Sequence, residues 1–473
     1  MDHVCAGREY PLTGGLVTLI ALATLAFGAV YEWAFVPLFA ICALLGLLSM
    51  RRGVPRRLRP LAYGFLVLGL AISLQLVPLP RTVLTTVSPN AASLLTNYSL
   101  LFAAGAQTVP ISIDPRATRT ALAALAAFGF YLIGVSSALG AGHVRRFPRA
   151  LALFAVPLAL FGILSRALFE SSNRIYGFWK PEQGGGDQFG PFVNRNHFAG
   201  WMLMATCVLI GALLGQVERA VREQRGTRQR RISWLSSAEA NGIVLMGAAV
   251  LVTTISLFWT LSRSAMISFG VATAAFGLLA FRRRRLGTTG HRAAILAGLA
   301  VIVLVGVSWR GPARLITWFQ FQNSQSVVGR VAAWQDGWQV VRAFPAAGTG
   351  LNTYSDAMLF YQRGNAGFHL AQAHNDYLQI LAEGGLLVAI PAVLVLVLLV
   401  RGILRSLRDV RAEARGYWIR VGASVGLLAI GVQECFEFSL QMPANALLFC
   451  TLAAVALTPP APVARDTINA AQG

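Results

Sequence analysis

The chain has 473 residues, of which 56% are hydrophobic and only 12% are charged, and its mean hydropathy is +0.60. A soluble domain contains about 25% charged residues, so this composition excludes a soluble globular protein. It also excludes a disordered chain, because the apolar fraction is high and polar low-complexity tracts are missing. The five cysteines show no paired spacing that would indicate disulfides or a zinc site.

Apolar segments long enough to cross a membrane recur along the chain. A bilayer core takes roughly 20 residues of apolar helix, and by this measure the sequence predicts about twelve spans, with boundaries uncertain by a few residues. They cover residues 14–31, 34–50, 60–77, 117–139, 150–168, 197–216, 241–260, 264–281, 293–309, 385–400, 419–433 and 442–457. We expect the first to be a membrane helix rather than a cleaved signal peptide, because it leads through Glu32 directly into the second.

The formal net charge of +21 comes almost entirely from arginine, since all basic residues except Lys180 are arginines. Groups of arginines follow the even-numbered spans as far as the tenth, at 51–59, 145–149, 219–231, 282–285 and 401–415. By the positive-inside rule these loops are cytoplasmic, which predicts that both termini are cytoplasmic as well. Topology and attraction to lipid headgroups then explain the charge, so we expect membrane lipids as partners and no nucleic acid.

This topology divides the chain into four parts. The first part, residues 1–309, contains spans one to nine and the long external loops 78–116 and 169–196. The other three parts are a third external loop at 310–384, spans ten to twelve at 385–457, and a cytoplasmic tail at 458–473. Long loops beside a membrane domain commonly carry the functional residues. The three external loops are therefore the expected location of the site.

The third external loop has predicted helical structure of its own. Apolar residues recur at helical spacing over 327–341 and stop before Pro345, which predicts an amphipathic helix. A turn containing glycine follows at 348–352. We expect a second helix over 371–382 that ends at Gly384–Gly385.

Three arginines lie on the external side, where the positive-inside rule does not explain them. Arg195 lies at the mouth of span six, Arg263 in a very short hairpin between spans seven and eight, and Arg330 in the amphipathic helix. Guanidinium groups stay charged and bind phosphate oxygens in pairs, so three converging arginines suit a diphosphate. The alternative is that each arginine anchors its helix at the lipid headgroups, although a hairpin as short as that of Arg263 does not require such an anchor.

One histidine of the third loop stands in a dense polar cluster. His374 is followed by Asn375, Asp376 and Tyr377, just ahead of an apolar helix. A neutral imidazole can accept a hydroxyl proton near neutral pH, and Asn375 or Asp376 could orient it. The alternative is a histidine that caps the helix or packs at an interface. His197, near Arg195, is expected to have a supporting or structural role.

Several motifs of other enzyme classes do not occur in the sequence. It contains no D-x-D pair, no H-E-x-x-H, no G-x-x-x-x-G-K-[ST] and no G-x-S-x-G. This argues against a metal-dependent nucleotide-sugar transferase, a zinc protease, an ATPase and a serine hydrolase. Because arginine alone can neutralise a diphosphate, we expect neither a metal ion nor another cofactor.

Four passages resemble the O-antigen ligase and polymerase family of bacterial inner-membrane glycosyltransferases. They are Gln75-Leu-Val-Pro-Leu-Pro80, Phe192-Val-Asn-Arg-Asn-His-Phe-Ala199, the pair Leu261-Ser-Arg-Ser264 and Gly329-Arg330 ahead of Ala373-His-Asn-Asp-Tyr-Leu-Gln-Ile-Leu-Ala-Glu-Gly384, and Phe436-Glu-Phe-Ser-Leu-Gln-Met-Pro-Ala-Asn-Ala446. Together they extend over most of the chain. The sequence departs from the family at Glu437, where an aspartate is expected, so no role is assigned to this last external turn.

The resemblance implies a GT-C-like, all-α membrane fold with about twelve transmembrane helices and a helical periplasmic loop subdomain. It implies transfer of a glycan from undecaprenyl diphosphate to a sugar hydroxyl, by inverting displacement without metal, at a periplasmic site in the bacterial inner membrane. Carried over by motif, His374 is the catalytic base, and Arg195, Arg263 and Arg330 bind the diphosphate. The supporting residues are Asn194, Asn196, His197, Asn375, Asp376 and Tyr377.

The sequence leaves the acceptor open. A ligase would use a sugar of lipid A–core, and a polymerase of O-antigen or exopolysaccharide would use a second lipid-linked glycan; a protein hydroxyl is a third acceptor. A different class, a transporter of lipid-linked glycans, would share the spans and the arginines. It should carry ionisable residues in mid-span, and the sequence shows few of them.

Overall fold

The computed structural model describes residues 2–51, 53–169, 174–181, 188–223, 237–283, 325–364, 369–408 and 413–460, together with residues 298, 300 and 304. Regular structure in these residues is almost entirely helical, and two short strands among them, β1 (Leu79–Pro80) and β2 (Thr108–Val109), pair antiparallel. The prediction of an all-α polytopic membrane protein is confirmed. The predicted span 293–309 and the loop segment 310–324 lie outside the described residues, apart from isolated positions in the former.

The N-terminal half alternates apolar helices with short connecting helices. In chain order it contains α1 (Asp2–Leu25), a 3-10 turn (Phe27–Ala29), α2 (Glu32–Ser49), α3 (Arg59–Leu74), α4 (Arg81–Val87), α5 (Pro89–Tyr98), α6 (Leu100–Ala103), α7 (Pro115–Ala138), α8 (Ala141–Phe169) and α9 (Arg195–Glu223). Helices α2, α7, α8 and α9 are long and apolar enough to cross a membrane, and α3 and the second part of α1 are shorter apolar helices. Helices α4 to α6 lie in the predicted external loop 78–116.

The C-terminal half continues the same pattern. It contains α10 (Ala238–Trp259), α11 (Arg263–Arg282), α12 (Gln325–Ala343), α13 (Tyr354–Tyr361), α14 (Asp376–Leu407), α15 (Ala414–Gln433), a 3-10 turn (Ser439–Gln441) and α16 (Pro443–Leu457). Helices α10, α11 and α14 are long and apolar enough to span, and α16 is a shorter apolar helix. Each predicted span other than 293–309 coincides with a helix, while the number of membrane crossings stays a prediction.

Helix α12 confirms that the third loop contains a helix at the predicted position. It ends at Ala343, ahead of Pro345. The predicted turn after it is also present, because Gly348, Gly350 and Asn352 adopt positive φ values of 67°, 108° and 65°. Two glycines and an asparagine are the residues that accept this conformation most readily.

The predicted helix over 371–382 is wrong at its beginning. Helix α14 starts at Asp376, because Asn375 caps it and its Oδ1 accepts a hydrogen bond of 3.0 Å from the backbone N–H of Leu378. An N-cap residue has extended backbone and stops the helix from continuing toward the amino terminus. Residues 371–375 therefore form an irregular segment.

The predicted end of this helix at Gly384–Gly385 is confirmed as a break in the helix. Helix α14 kinks at Gly385, which has φ 54° and ψ −162°, and then continues into the predicted tenth span. The N–H groups of Leu386 and Leu387 donate to the carbonyls of Pro345 and Ala346, both at 2.9 Å. The turn after α12 thus replaces the helical hydrogen bonds that the kink removes.

Helix α9 is the central helix of the bundle. Its apolar window is 94% buried, whereas that of α14 is 17% buried and faces outward. It packs most extensively against α15, where Gly211 meets Gly422. A Cβ at Gly211 would lie 2.3 Å from the carbonyl oxygen of Trp418, so only glycine allows this close approach of two helices.

Buried charges lie toward one end of the bundle. Glu218, near the end of α9, accepts hydrogen bonds of 2.6 Å from Arg283 Nε and from Trp418 Nε1, and the Arg283 guanidinium lies 3.7 Å from the Tyr417 ring centroid. Arg420 is also buried, inside the predicted span 419–433. It is an exception to the expectation that few ionisable residues lie within the spans.

Gly211→Val should lower the free energy of unfolding by about 1–3 kcal/mol, because the added side chain has to push α15 away from α9. Thermal unfolding of the purified protein in detergent measures this change. Gly270→Val in α11 is the matched control, since no atom of the described residues lies within 4 Å of a Cβ at that position. Equal melting temperatures for the two variants would contradict the assigned packing.

Candidate functional site

The three arginines that are predicted to be external lie near the amino-terminal ends of helices. Arg195 is the first residue of α9, Arg263 is the first residue of α11, and Arg330 lies in the second turn of α12. Helix amino termini carry partial positive charge and backbone N–H groups without helical partners. The side-chain charges and the helix ends therefore attract the same kind of ligand, an anion such as phosphate.

A tight hairpin places Arg263. Leu261 adopts a positive φ of 56°, and Thr260 Oγ1 accepts a hydrogen bond of 3.2 Å from the backbone N–H of Ser262. These contacts turn the chain within residues 260–262. The predicted short hairpin is confirmed, and Arg263 begins α11 directly beside the end of α10.

A folded loop places Arg195. The backbones of Phe189 and Phe192 exchange two hydrogen bonds of 3.1 Å, which closes the loop ahead of α9. Asn194 Oδ1 then accepts a hydrogen bond of 2.8 Å from the backbone N–H of Asn196. Asn194 thus fixes the first turn of α9 and with it the starting point of the Arg195 side chain.

The structure brings Arg263 and Arg330 into one cavity, while Arg195 lies near Arg263 but is not among the residues that line that cavity. Arg263 and Arg330 line one cavity of about 210 Å³, and the charges of Arg195 and Arg330 both act on Arg263. The rest of the wall consists of Ser264, Ile267, Val331, Trp334 and Phe436. The cavity therefore combines two guanidinium groups with a mostly apolar wall.

Glu437 contacts both Arg330 and His374. Its Oε1 accepts a short hydrogen bond from Arg330 Nη2, and its Oε2 lies 3.5 Å from His374 Nδ1. The Glu437 side chain is 1% exposed, whereas those of Arg330 and His374 are 22% and 31% exposed. A ligand can therefore reach the guanidinium and the imidazole but not the carboxylate behind them.

His374 has a constrained backbone. Its φ is 50°, in the left-handed region that few non-glycine residues adopt. Both flanks are held in place, because Gln379 Oε1 accepts a 3.0 Å hydrogen bond from Ala373 N and Asp376 N donates one of 3.0 Å to Glu434 O. Strained backbone that neighbouring contacts maintain is a feature of functional sites.

Phe438 separates His374 from His197. The His374 and His197 ring centroids lie 5.0 Å and 4.6 Å from that of Phe438, both edge-on. His197 is buried, and its carbonyl accepts a 3.0 Å hydrogen bond from Asn445 Nδ2. In the same way the Asn196 carbonyl accepts one of 3.0 Å from Gln433 Nε2. Asn196 and His197 thus connect α9 to the end of α15 and to the start of α16.

Neither Asn375 nor Asp376 orients His374, contrary to the prediction. Asn375 caps α14, Asp376 Oδ1 accepts a 2.7 Å hydrogen bond from Gln441 Nε2, and the Tyr377 hydroxyl donates one of 2.7 Å to the Gly431 carbonyl. These contacts attach the first turn of α14 to α15 and to the turn that follows it. The carboxylate beside the imidazole is that of Glu437.

Gln75 attaches the third external loop to the membrane domain. Its Nε2 donates to the carbonyls of Ala347 at 2.7 Å and Glu383 at 3.0 Å, and its Oε1 accepts a 3.1 Å hydrogen bond from Leu351 N. The side chain is fully buried at the end of α3. A buried amide with each of its groups bonded holds these segments in one arrangement.

The pKa values of two nearby glutamates, Glu434 and Glu437, are shifted in opposite directions. Burial by itself raises the pKa of Glu437, but the adjoining His374 imidazole and the charge of Arg330 outweigh it, so the pKa of Glu437 lies below its ordinary value. Burial, and then the neighbouring Asp376 carboxyl, raise the pKa of Glu434 well above its ordinary value. Folding therefore favours the ionised form of Glu437 beside His374 and the protonated form of Glu434.

Sequence reasoning missed the contributions of Glu437 and Gln75. Both stand in passages that carry the family resemblance, so the sequence did mark these two positions. Their partners could not be read from it, because 107 positions separate Arg330 from Glu437 and 308 separate Gln75 from Glu383.

The helices and this site define a polytopic membrane protein with a cationic, partly apolar cleft at one end of its bundle. A family model described as O-antigen ligase matches residues 248–393, which run from α10 into α14 and contain Arg263, Arg330 and His374. The match confirms the resemblance to the O-antigen ligase and polymerase family. No curated protein matches the chain.

Glu437→Gln should destabilise the protein by about 3 kcal/mol at neutral pH, because it leaves Arg330 without its counter-ion in a largely buried place. The pKa of Glu437 is lowered by folding, so its stabilisation is present above the ordinary value of 4.5 and is lost as the pH falls through the lower folded value. Melting temperatures of the parent and the variant should therefore converge in acid.

Glu434→Gln is the matched control for this measurement. Because burial and the Asp376 carboxyl favour the protonated form of Glu434, its isosteric amide should change the melting temperature less than Glu437→Gln does. If both glutamine variants lower the melting temperature equally at neutral pH, the assignment of charge to Glu437 is wrong.

Proposed function

We propose that the protein transfers a glycan from undecaprenyl diphosphate to a sugar hydroxyl on the periplasmic side of the bacterial inner membrane, as an O-antigen ligase-like glycosyltransferase. The observation that supports this most directly is that Arg330 belongs both to the cavity and to the group around His374. It lines the cavity with Arg263 and also binds Glu437, the partner of His374. A group that binds diphosphate and a group that accepts a proton therefore adjoin.

In this proposal the donor's diphosphate is bound by Arg195, Arg263 and Arg330. The apolar wall of the cavity suits the polyprenyl chain next to it. Ile267 and Val271 continue along α11 as exposed apolar side chains, which in a membrane face lipid. The polyprenyl chain can thus stay in the bilayer while the diphosphate lies in the cavity.

His374 is the proposed base. With Glu437 holding a proton on Nδ1, Nε2 is the proton acceptor. Nε2 takes the acceptor hydroxyl's proton as that oxygen bonds to the anomeric carbon from the face opposite the diphosphate. The anomeric C–O bond to phosphate breaks, undecaprenyl diphosphate leaves with the bonding electrons, and the configuration inverts.

Electrostatic stabilisation of the leaving group is the proposed role of the arginines during the reaction. Negative charge grows on the diphosphate as the bond breaks, and guanidinium groups already in place stabilise it without reorganisation. The proposed step therefore uses no metal ion and no cofactor. The supporting residues act by holding these groups, namely Asn194, Asn196, His197, Asn375, Asp376 and Tyr377.

The same proposal gives the chain its orientation. The arginine-rich connections follow the ends of α2, α9, α11 and α14, whereas the site lies where α9, α11 and α14 begin. By the positive-inside rule both termini are then cytoplasmic and the site is periplasmic. The proposed parts of the chain are 1–309, the periplasmic subdomain 310–384, 385–457 and the tail 458–473.

The proposed acceptor is lipid A–core, and the alternative is a second lipid-linked glycan, which would make the protein a polymerase. Deleting the gene and separating the lipopolysaccharide on a gel distinguishes the two. Loss of all capped core indicates a ligase, and a single repeat unit on core indicates an O-antigen polymerase. Unchanged lipopolysaccharide with loss of capsule or exopolysaccharide indicates a polymerase for another polymer.

His374→Ala should reduce transfer by about a hundredfold or more, because the acceptor hydroxyl loses its base. The assay combines purified protein, undecaprenyl-diphosphate glycan and acceptor in detergent, without a gradient, and identifies the product by mass. His369→Ala is the control, an exposed histidine of the same loop that contacts Ser355 at 2.8 Å. Equal rates for the two folded variants would exclude His374 as the base, and absence of any product would favour a transporter.

Arg263→Gln should raise the KM for the donor or lower kcat, by about tenfold or more in kcat/KM, because a charge-assisted hydrogen bond to phosphate is lost. EDTA should leave the rate of the parent protein unchanged. Arg363→Gln serves as the control, since Arg363 is an exposed arginine of the third predicted external loop and does not line the cavity. A rate that falls with EDTA, or equal kinetics for the two variants, would contradict the proposed binding by arginine alone.

A further inference from the structure

A second cavity lies at the opposite end of the bundle from the candidate site. It encloses about 210 Å³ between α8, α9, α10 and α15, and Arg145, Arg146, Arg149 and Arg415 line it. Helix α9 begins at the candidate site and reaches this cavity near its carboxyl end. Helix α15 runs the other way, from Arg415 in its first turn to the turn that contains Glu437.

Positive charge dominates this cavity. None of the described residues that line it is acidic. Glu413 lies 3.1 Å from Arg145, and the two side chains are nearly half exposed, so solvent weakens their attraction. Glu239 lies 3.4 Å from Arg219 and 3.8 Å from Arg415, so two guanidinium groups share one carboxylate.

One guanidinium N–H at the cavity makes no hydrogen bond to the residues that the structure describes. Arg415 Nε is buried, and within the described parts of the chain no hydrogen-bond acceptor is in reach of it. Buried donors in folded proteins are almost always bonded to protein, water or a ligand. An anion in the cavity would supply the acceptor and would balance the excess charge.

The size and the surroundings of the cavity define the anion. Cavities that hold drug-sized ligands enclose about 300–1,000 Å³, so this smaller one suits a single phosphate headgroup rather than a nucleotide. Exposed apolar side chains lie next to it on two walls. Leu153 on α8 is 81% exposed, and Val244 and Leu245 on α10 are exposed beside Met246 of the cavity wall. In a membrane these side chains face lipid.

We propose that this cavity binds the phosphate headgroup of an anionic phospholipid, whose acyl chains lie against the apolar faces of α8 and α10. Guanidinium groups bind phosphate oxygens in pairs, and Arg149 and Arg415 approach the cavity from two different helices. Basic pockets between transmembrane helices are sites where such headgroups bind. The bound lipid connects four helices at the end of the bundle far from the proposed catalytic site.

Native mass spectrometry of the full-length protein in detergent tests this proposal. Phosphatidylglycerol is the anionic probe, phosphatidylethanolamine is the zwitterionic probe, and inorganic phosphate tests for a soluble anion. We expect the parent protein to retain phosphatidylglycerol in preference to both others. In R149Q/R415Q the apparent affinity for phosphatidylglycerol should fall about tenfold or more, because two charged donors are removed.

R405Q/R408Q is the matched control. It also removes two positive charges from the same end of the molecule, and both arginines are exposed at the end of α14 and do not line the cavity. We expect this variant to bind phosphatidylglycerol as the parent does. Equal binding by the two glutamine pairs would overturn the proposal, and so would binding of inorganic phosphate in place of the lipid.

A lysine pair keeps the test decisive if R149Q/R415Q does not fold. R149K/R415K retains the charge but loses the planar fork that binds two phosphate oxygens. Its affinity for phosphatidylglycerol should lie below that of the parent and of R405Q/R408Q. Affinity equal to the parent's would overturn the proposal.

Discussion

A buried carboxylate connects the two chemical parts of the site. Glu437 belongs to the turn between α15 and α16, yet it binds Arg330 of α12 and contacts His374 ahead of α14. A buried charge without partners is strongly unfavourable, so Glu437 stays ionised because the Arg330 guanidinium binds it and the His374 imidazole adjoins it. The helices of the external loop therefore have to meet the membrane domain at this point.

Other buried polar groups hold the same arrangement. Gln75 bonds the turn after α12 to α14 from the end of α3, and Glu383 accepts hydrogen bonds from the backbone N–H groups of Asn352 at 2.7 Å and Tyr354 at 3.0 Å. These contacts lie behind the residues that a ligand can reach. Groups held by a packed second layer keep their positions when charge develops in a reaction, as the proposed transfer requires.

The sequence could identify candidate residues where they depart from the usual pattern of a membrane protein. Arg195, Arg263 and Arg330 are arginines on the external side, and His374 stands in a polar cluster ahead of an apolar helix. The predicted partner of His374 was wrong, because adjacency in sequence favoured Asn375 or Asp376. Asp376 lies in the first turn of α14, where its carboxylate accepts a hydrogen bond from Gln441 rather than from His374.

Hydropathy, helical periodicity and the placement of arginine are local properties, and they determined the membrane class, the approximate helices and the chemical nature of the site. Tertiary structure alone decided that α9 is the buried centre, that α14 kinks at Gly385 against the turn after α12, and that Glu437 joins Arg330 to His374. It also decided that arginines from α8 and α15 surround a common cavity. Each of these depends on contacts between residues far apart in the chain, which burial selects and which no local pattern encodes.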